Sequence, residues 1–415
     1  MATSVPNTDT FTLQDVVAVT GLTGATSLTA AFAASTDSYF DPTYKGSKDN
    51  LLNFRNYTVP AGSTMYIIGT TAATPSYSIN NGANFYDLDV TGYSNPRSAV
   101  CQPALYKNAY TYNKTDICIP SYLGTTSRIW MSHNGGSSWT YVDKTGCILD
   151  YITVTPGNNY WYAGGWTYNN YFRSTDNGYN WVGAAMPSSM TALNFVGSNN
   201  GQYVYAGTAN AGGSRVLMKS TDYGATFGLS GAIATGGNGH LVADCDDSGQ
   251  YVFGYYASAG MGTAFSSDYG TSFTKLNTAA GQGVISKDAT FMVYTDWTNG
   301  RLYMSSNQGG SWSYIAFPPG WTTGVNLAMS RVYKRVWIVR SNADNKIYKL
   351  NDAHTGWDLV YTFGTYVYGG ISTSDFIDAA FVNIATSYQM YKVTPAGATT
   401  LIYTGNSGKY VANML

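Results

Sequence analysis

The chain contains no glutamate. All 23 of its acidic residues are Asp, and only 11% of its 415 residues carry charge, against roughly 25% in an average soluble protein. Glu favours helices and Asp does not, so long helices are not expected. The absence also removes every catalytic scheme built on a glutamate, the His-Glu-x-x-His zinc proteases among them. With a formal net charge of −1 and no basic block, the sequence lacks the clustered Lys and Arg that phosphates require, so no nucleic-acid partner is expected. No run approaches the roughly 18 apolar residues of a membrane span, which argues against membrane insertion. Met1 to Thr10 is polar and the first basic residue is Lys45, a start unlike a secretory signal. Four cysteines, Cys101, Cys118, Cys147 and Cys245, are widely spaced and fit no metal pattern. They are expected as buried thiols, with a Cys101–Cys118 bridge as the alternative. The three histidines, His133, His240 and His354, lie in unrelated contexts, and no Gly-x-Ser-x-Gly elbow occurs. No metal and no cofactor is expected.

Gly (46 residues) and Tyr (37) are abundant. With so little charge, the surface must be largely Ser, Thr, Asn, Gly and Tyr, as suits an adhesive or carbohydrate-facing protein. A pattern Ser-x-Asp/Asn-x-Gly-x-x-aromatic runs through the chain. It occurs as Ser78…Asn80…Gly82…Phe85, Ser132…Asn134…Gly136…Trp139, Ser174…Asp176…Gly178…Trp181, Ser220…Asp222…Gly224…Phe227, Ser266…Asp268…Gly270…Phe273 and Ser305…Asn307…Gly309…Trp312. After a longer first interval the copies stand about forty to forty-five residues apart, the spacing of propeller blades. The residue types suit a hairpin turn. The Asp or Asn side chain accepts backbone N–H groups, Gly takes a positive φ, and the aromatic opens the next strand and packs between sheets. Between the turns, Leu193–Gly207 parallels Leu241–Tyr255, each reading as strand, tight turn, strand. Each unit is thus a four-stranded antiparallel blade. Two degenerate units follow, about Val325–Phe363 and Ile371–Gly405. The first unit lacks a convincing innermost strand, and the C-terminal Lys409–Leu415 is placed to supply it and remove an open edge.

These turns resemble the Asp-box, or BNR, repeats of the sialidase-like propeller superfamily. The resemblance covers roughly residues 58–415. It implies an all-β fold of eight four-stranded blades, with seven as the alternative, in which Asn80, Asn134, Asp176, Asp222, Asp268 and Asn307 are structural. It also implies, for a sialidase, an arginine triad, a Tyr/Glu pair and an Asp acid. The missing glutamate and the absence of a Phe/Tyr-Arg-Ile-Pro motif argue against that activity. Residues 1–57 do not follow the repeat. Thr12 with Asp15, Ser27 and Ser47 read as caps of three short helices, which are expected to need another copy or a partner to bury their apolar sides. The stretches Phe11–Val17, Ser38–Tyr44 and Leu51–Tyr57 resemble a short N-terminal module of structural proteins in phages and prophages of Bacteroidota, where it precedes variable distal domains.

The second-to-third strand loops share one end of the blades with the interblade loops, opposite the repeated turns. Trp166, Tyr168, Asn170, Asp296, Trp297, Arg301 and Trp321 fall there. Aromatic rings stack on sugar faces and amides or Asp bind hydroxyls, so these are the candidate ligand residues; the alternative is that the aromatics pack between blades. Asp150 and Asp296 are candidates for an inverting glycosidase pair. The run Asp244-Cys-Asp246-Asp-Ser248-Gly249 mimics the start of a calcium loop, but Tyr255 stands where the closing Glu belongs, and a plain turn is expected. The leading expectation is a non-enzymatic virion attachment protein, a phage spike or tail-fibre component made in the host cytoplasm. It would join other virion proteins through residues 1–57, assemble as a homo-oligomer, and bind a host cell-surface glycan or protein. A polysaccharide-cleaving virion propeller is the runner-up, and a structural decoration without receptor affinity the third reading.

Overall fold

The structure is a computed structural model that describes residues 5–20, 27–34, 40–41, 43–44, 46–47, 49–57, 66–70, 76–78, 86–87, 117–123, 126–133, 138–149, 151–155, 160–165, 170–187, 190–209, 215–231, 240–256, 262–277, 281–321, 325–340, 343–373, 378–384, 389–404 and 409–414. The chain divides into two compact units, Met1–Thr64 and Met65–Leu415.

The first unit holds the helices Leu13–Thr20 and Leu28–Ala34 and the 3-10 turn Leu51–Phe54. Thr12 and Asp15 cap the first helix reciprocally: the Thr12 N–H and hydroxyl donate to the Asp15 carboxylate at 2.7 and 2.8 Å, and the Asp15 N–H donates to Thr12 Oγ1 at 3.3 Å. The third cap is Asn50, not Ser47. Its side chain accepts from the Leu52 N–H while Asn53 Oδ1 accepts from the Asn50 N–H, closing a turn too short to be an α-helix. The expectation that these elements need a partner for their apolar sides is corrected. Val5, Phe11, Val16, Ala31, Phe40, Phe54 and Tyr57 bury one another, with Phe32 stacked on Phe54 at 4.5 Å and Phe40 edge-on to Tyr57 at 4.7 Å. Arg55 ties the ends of the unit together, bonding Asn7 at 2.8 Å and Asp9 at 2.5 Å while lying over the Tyr44 ring.

The second unit is built of eight antiparallel sheets among the described residues, seven with four strands and one with three. Seven follow chain order as meanders, and successive inner strands lie against one another. We number them blades 1 to 8. Blade 1 pairs Tyr66–Thr70 and its two followers with the C-terminal strand Lys409–Met414, so the last strand of the chain closes the first blade as expected. Blade 2 has the strands Ile117–Leu123, Thr126–Ser132 and Thr140–Thr145. Its repeated turn falls between the last two, so these correspond to the second, third and fourth strands elsewhere. Blades 3 to 6 span 151–185, 191–229, 240–275 and 283–316, and the two degenerate units form blades 7 (325–362) and 8 (367–404), each with four strands. The count is therefore eight. Second strands are buried on both faces, as in Trp161–Gly164, Met292–Asp296 and Ala380–Ile384, whereas fourth strands are largely exposed. This gradient places the core between blades.

Candidate ligand-binding surface

The repeated turns have one geometry wherever they are described. In blade 4 the Ser220 hydroxyl donates to Asp222 Oδ1 at 2.7 Å and accepts the Gly224 N–H at 2.8 Å. The Asp222 carboxylate accepts the Thr226 N–H at 2.9 Å and its hydroxyl at 2.7 Å. Asp176 and Asp268 do the same with Asn180 and Ser272, and at Asn307 the amide oxygen accepts the Ser311 N–H while the amide nitrogen donates to the Ser311 hydroxyl. Burial raises the Asp222 pKa, but the bonds from Thr226, Ser220 and Ala225 outweigh it and hold the acid down at about 2. Two consecutive residues are left-handed, Tyr223 and Gly224 (φ 61° and 70°), and likewise Asn177–Gly178, Tyr269–Gly270 and Gln308–Gly309. The glycine also meets the preceding blade, since a Cβ on Gly224 would stand 2.3 Å from the Tyr162 ring. The hydroxyl of Tyr162 in turn donates to the Tyr223 carbonyl at 3.0 Å. Asp176, Asp222, Asp268 and Asn307 are thus parts of turns that lock blades together. Asn80 and Asn134 lie outside the described residues.

At the same end, the inner hairpins form a chain of backbone bonds. Asn199 N–H donates to the Asp247 carbonyl at 2.7 Å, Asp247 N–H to Lys287 at 3.0 Å, and Lys287 N–H to Arg331 at 3.2 Å, spanning blades 4 to 7. Inner-strand side chains add links. Thr153 donates to the Phe195 carbonyl, Asp244 accepts the Ile285 N–H, and Gln282 accepts the Leu327 N–H. Arg331 of blade 7 is buried and reaches across blade 6, donating to Ile285 O at 3.1 Å and Cys245 O at 2.6 Å, with Nε 3.7 Å from the Asp244 carboxylate. Sequence reading missed this lacing; its only trace was the acidic run at Asp244. Asp246 is engaged by Tyr251 N–H, Ser248 N–H and the Ser248 hydroxyl, so the calcium-like segment is a hairpin turn. Among the described residues no cluster of three His, Cys or Asp could hold a metal. Cys118, Cys147 and Cys245 are buried, and burial pushes the Cys147 and Cys245 thiols up; Cys101 lies outside the described residues.

The opposite end carries the candidate ligand residues. Trp166 and Tyr168, with Asp150, lie outside the described residues. Asn170 is exposed at the start of the third strand of blade 3. The hairpin of blade 6 brings Asp296, Trp297 and Arg301 together, with Asp296 and Arg301 as direct cross-strand partners on one face and Trp297 on the other. Asp296 is 2% exposed, and its oxygens accept the Thr298 and Asn299 N–H groups and the Asn299 amide, so it holds its own turn. Trp297 is half-buried against the core between blades 6 and 7. Trp321 is 4% exposed in that same core and donates Nε1 to Asp344 at 2.7 Å. Trp321 packs between blades, the alternative weighed for the aromatics, and Asp296 is buried with its oxygens engaged in its own turn. Arg301 lies over the Tyr314 ring at 4.1 Å. Tyr314 sits at the end of a row across three strands, Tyr294–Tyr303–Tyr314, with ring separations of 4.8 and 5.4 Å. The row grades from buried Tyr294 to Tyr314, which is 53% exposed. Tyr303 and Tyr314 were not singled out from the sequence; their signal is the alternation Arg301-x-Tyr303 facing Tyr314 across the strand pair.

No protein-family model and no curated protein matches the sequence. Solved structures match the fold, and they are propellers. The propeller of Dos1 is 10% identical, with 78% of this chain and 87% of that one covered at a TM-score of 0.57. Dihydro-heme d1 dehydrogenase NirN is 9% identical, with 85% and 75% covered at 0.53. YCF48 from Cyanidioschyzon merolae is 14% identical, with 72% and 97% covered at 0.47. At such identities the likeness concerns fold alone. The class the architecture defines is the β-propeller.

Proposed function

We propose that the chain is a non-enzymatic attachment protein of a phage particle, a spike or tail-fibre component, whose Asp-box propeller binds a host cell-surface glycan or protein. The observation that carries the binding half is the Arg301–Tyr303–Tyr314 stack. It is a cation and an exposed aromatic face on the outer strands of blade 6, made by side chains that take no part in the repeated turn. Planar rings offer sugar C–H faces a stacking surface, and guanidinium N–H groups suit hydroxyl or carboxylate oxygens. The glycosidase reading needs two carboxylates facing a cleft. Its described member, Asp296, is buried with both oxygens engaged, which favours binding over cleavage. The particle half rests on the N-terminal module's resemblance and on that module having its own aromatic core.

The test uses purified full-length protein with bacterial capsule polysaccharide and lipopolysaccharide. Retention of at least one glycan with unchanged chain length is the expected result. Tyr314→Ala should weaken retention about tenfold while the melting temperature holds, because the ring is exposed. Shortened oligosaccharides would make the protein an enzyme, and failure to bind any surface glycan or intact cell would leave no attachment function.

A further inference from the structure

The stack on blade 6 has a twin on blade 2, four blades away in either direction. There the residues are Arg128, Trp130 and Tyr141. In both copies the arginine and the central aromatic stand four and two residues before the serine of the repeated turn, Ser305 or Ser132, and the tyrosine is the direct cross-strand partner of that aromatic. The guanidinium lies over the tyrosine at 4.1 Å in blade 6 and 3.5 Å in blade 2, and each tyrosine is 53% exposed. The fold does not require this arrangement. The same positions are Asn170, Phe172 and Gly183 in blade 3, Val216, Met218 and Leu229 in blade 4, and Gly262, Ala264 and Lys275 in blade 5.

The twins differ in the central aromatic, Trp130 against Tyr303, and in both cross-strand partners of the arginine. Across the strand from Arg128 stands Asp143, which takes its guanidinium at 2.7 and 2.8 Å. Across from Arg301 stand Ala316 on the outer strand and Asp296 on the inner one, and among the described residues Arg301 makes no ion pair. The acid on its own hairpin, Asp296, is buried and held by its turn. A stacked guanidinium is weakly hydrated, and beyond its hydrogen bond to the Tyr303 hydroxyl Arg301 has further in-plane N–H groups for a carboxylate. Beside it lies a ring face suited to a pyranose.

Resting on the reading of the propeller as a glycan binder, we infer that the Arg301–Tyr303–Tyr314 stack takes a uronate residue of an acidic polysaccharide. The sugar ring lies against Tyr314, and its carboxylate pairs with Arg301 where Asp143 pairs with Arg128 in the twin. A peptide carboxylate would use the arginine but lacks the rigid apolar face that the tyrosine offers.

The experiment is calorimetric titration of the full chain at low salt with polygalacturonate, alginate and hyaluronate, each beside its own methyl ester. At least one acid should bind, with its ester about tenfold weaker or worse. Arg301→Ala should abolish the preference, and so should Ala316→Asp, which builds the twin's ion pair into blade 6. Arg128→Ala should leave it in place. Should Ala316→Asp fail to fold, Arg301→Gln decides. Binding to none of the three acids, equal binding of acid and ester, or binding unchanged in these blade 6 variants would overturn the inference. If the Arg301 variants still retain a bacterial surface glycan intact, the uronate site fails while the attachment reading stands; if the wild-type chain retains none, both fail.

Discussion

At the scale of single residues, the repeated turn makes the sharpest predictions. Asp222→Ala strips acceptors from the Thr226 N–H and hydroxyl and from Ser220, and should cost about 1–3 kcal/mol of stability. Asp222→Asn should cost less, because Asn307 occupies the same geometry naturally. Wild type and Asp222→Asn should also separate by pH. The folded pKa of Asp222 is depressed to about 2, so its contribution is full above the ordinary Asp value near 4 and is lost as the pH falls through about 2. Melting curves from pH 7 to 2 should show a shallower acid decline for Asp222→Asn than for wild type; parallel declines would remove this acid from the account. The glycine is set by φ and by space together. Gly224→Ala should destabilise by about 1–3 kcal/mol, since φ is 70° and the new Cβ would press on the Tyr162 ring. Gly228→Ala, with nothing within 4 Å of its Cβ, should stay within about 0.5 kcal/mol. Equal effects in urea titrations would contradict the inter-blade role.

At the scale of elements, strands and turns were legible in the sequence, but the contacts between blades were not. Repeat spacing and alternation gave the four-stranded unit, the two degenerate blades and the C-terminal closing strand, because those depend on local turn chemistry and period-two burial. The same alternation cannot tell which neighbour a side chain meets. Trp321 and Asp296 looked like ligand residues from their position in loops, yet one is anchored to Asp344 in the blade 6–7 core and the other is consumed by its own turn. Arg331 gave no signal at all, since its partners Cys245, Ile285 and Asp244 lie one and two blades back in the chain. In the N-terminal unit, three apolar stretches far apart in sequence meet in one aromatic core, which single-helix reasoning could not foresee. Two element-scale predictions follow from these contacts. Arg331→Ala leaves a buried carboxylate and carbonyls without their cation and should cost about 3–5 kcal/mol, read as a fall in the denaturant midpoint. Removing 409–415 takes the inner strand from blade 1. The truncated chain should melt lower and aggregate through the opened edge, and an unchanged melting curve would show that this strand does not close the ring.

The molecule as a whole divides its labour. Residues 1–57 have a core of their own, and the propeller closes on its own last strand. Deleting 1–57 should therefore leave a soluble, cooperatively melting β protein that still binds cells but is no longer incorporated into particles. Within the propeller, the repeated turns and the inner-hairpin lacing hold one end of the blades, and the exposed Arg301–Tyr314 pair lies on the outer strands of blade 6. The central claim is that architecture and recognition rest on different side chains, the repeated turns for the one and the Arg301–Tyr314 stack for the other. The most direct measurement is the affinity of Asp222→Ala for retained surface glycan, normalised to folded protein and set beside that of Tyr314→Ala. The account predicts that Asp222→Ala lowers the melting temperature and leaves affinity per folded molecule at the wild-type value, whereas Tyr314→Ala lowers affinity at an unchanged melting temperature. Loss of affinity by Asp222→Ala at a wild-type melting temperature would place the ligand on the repeated turns and contradict it.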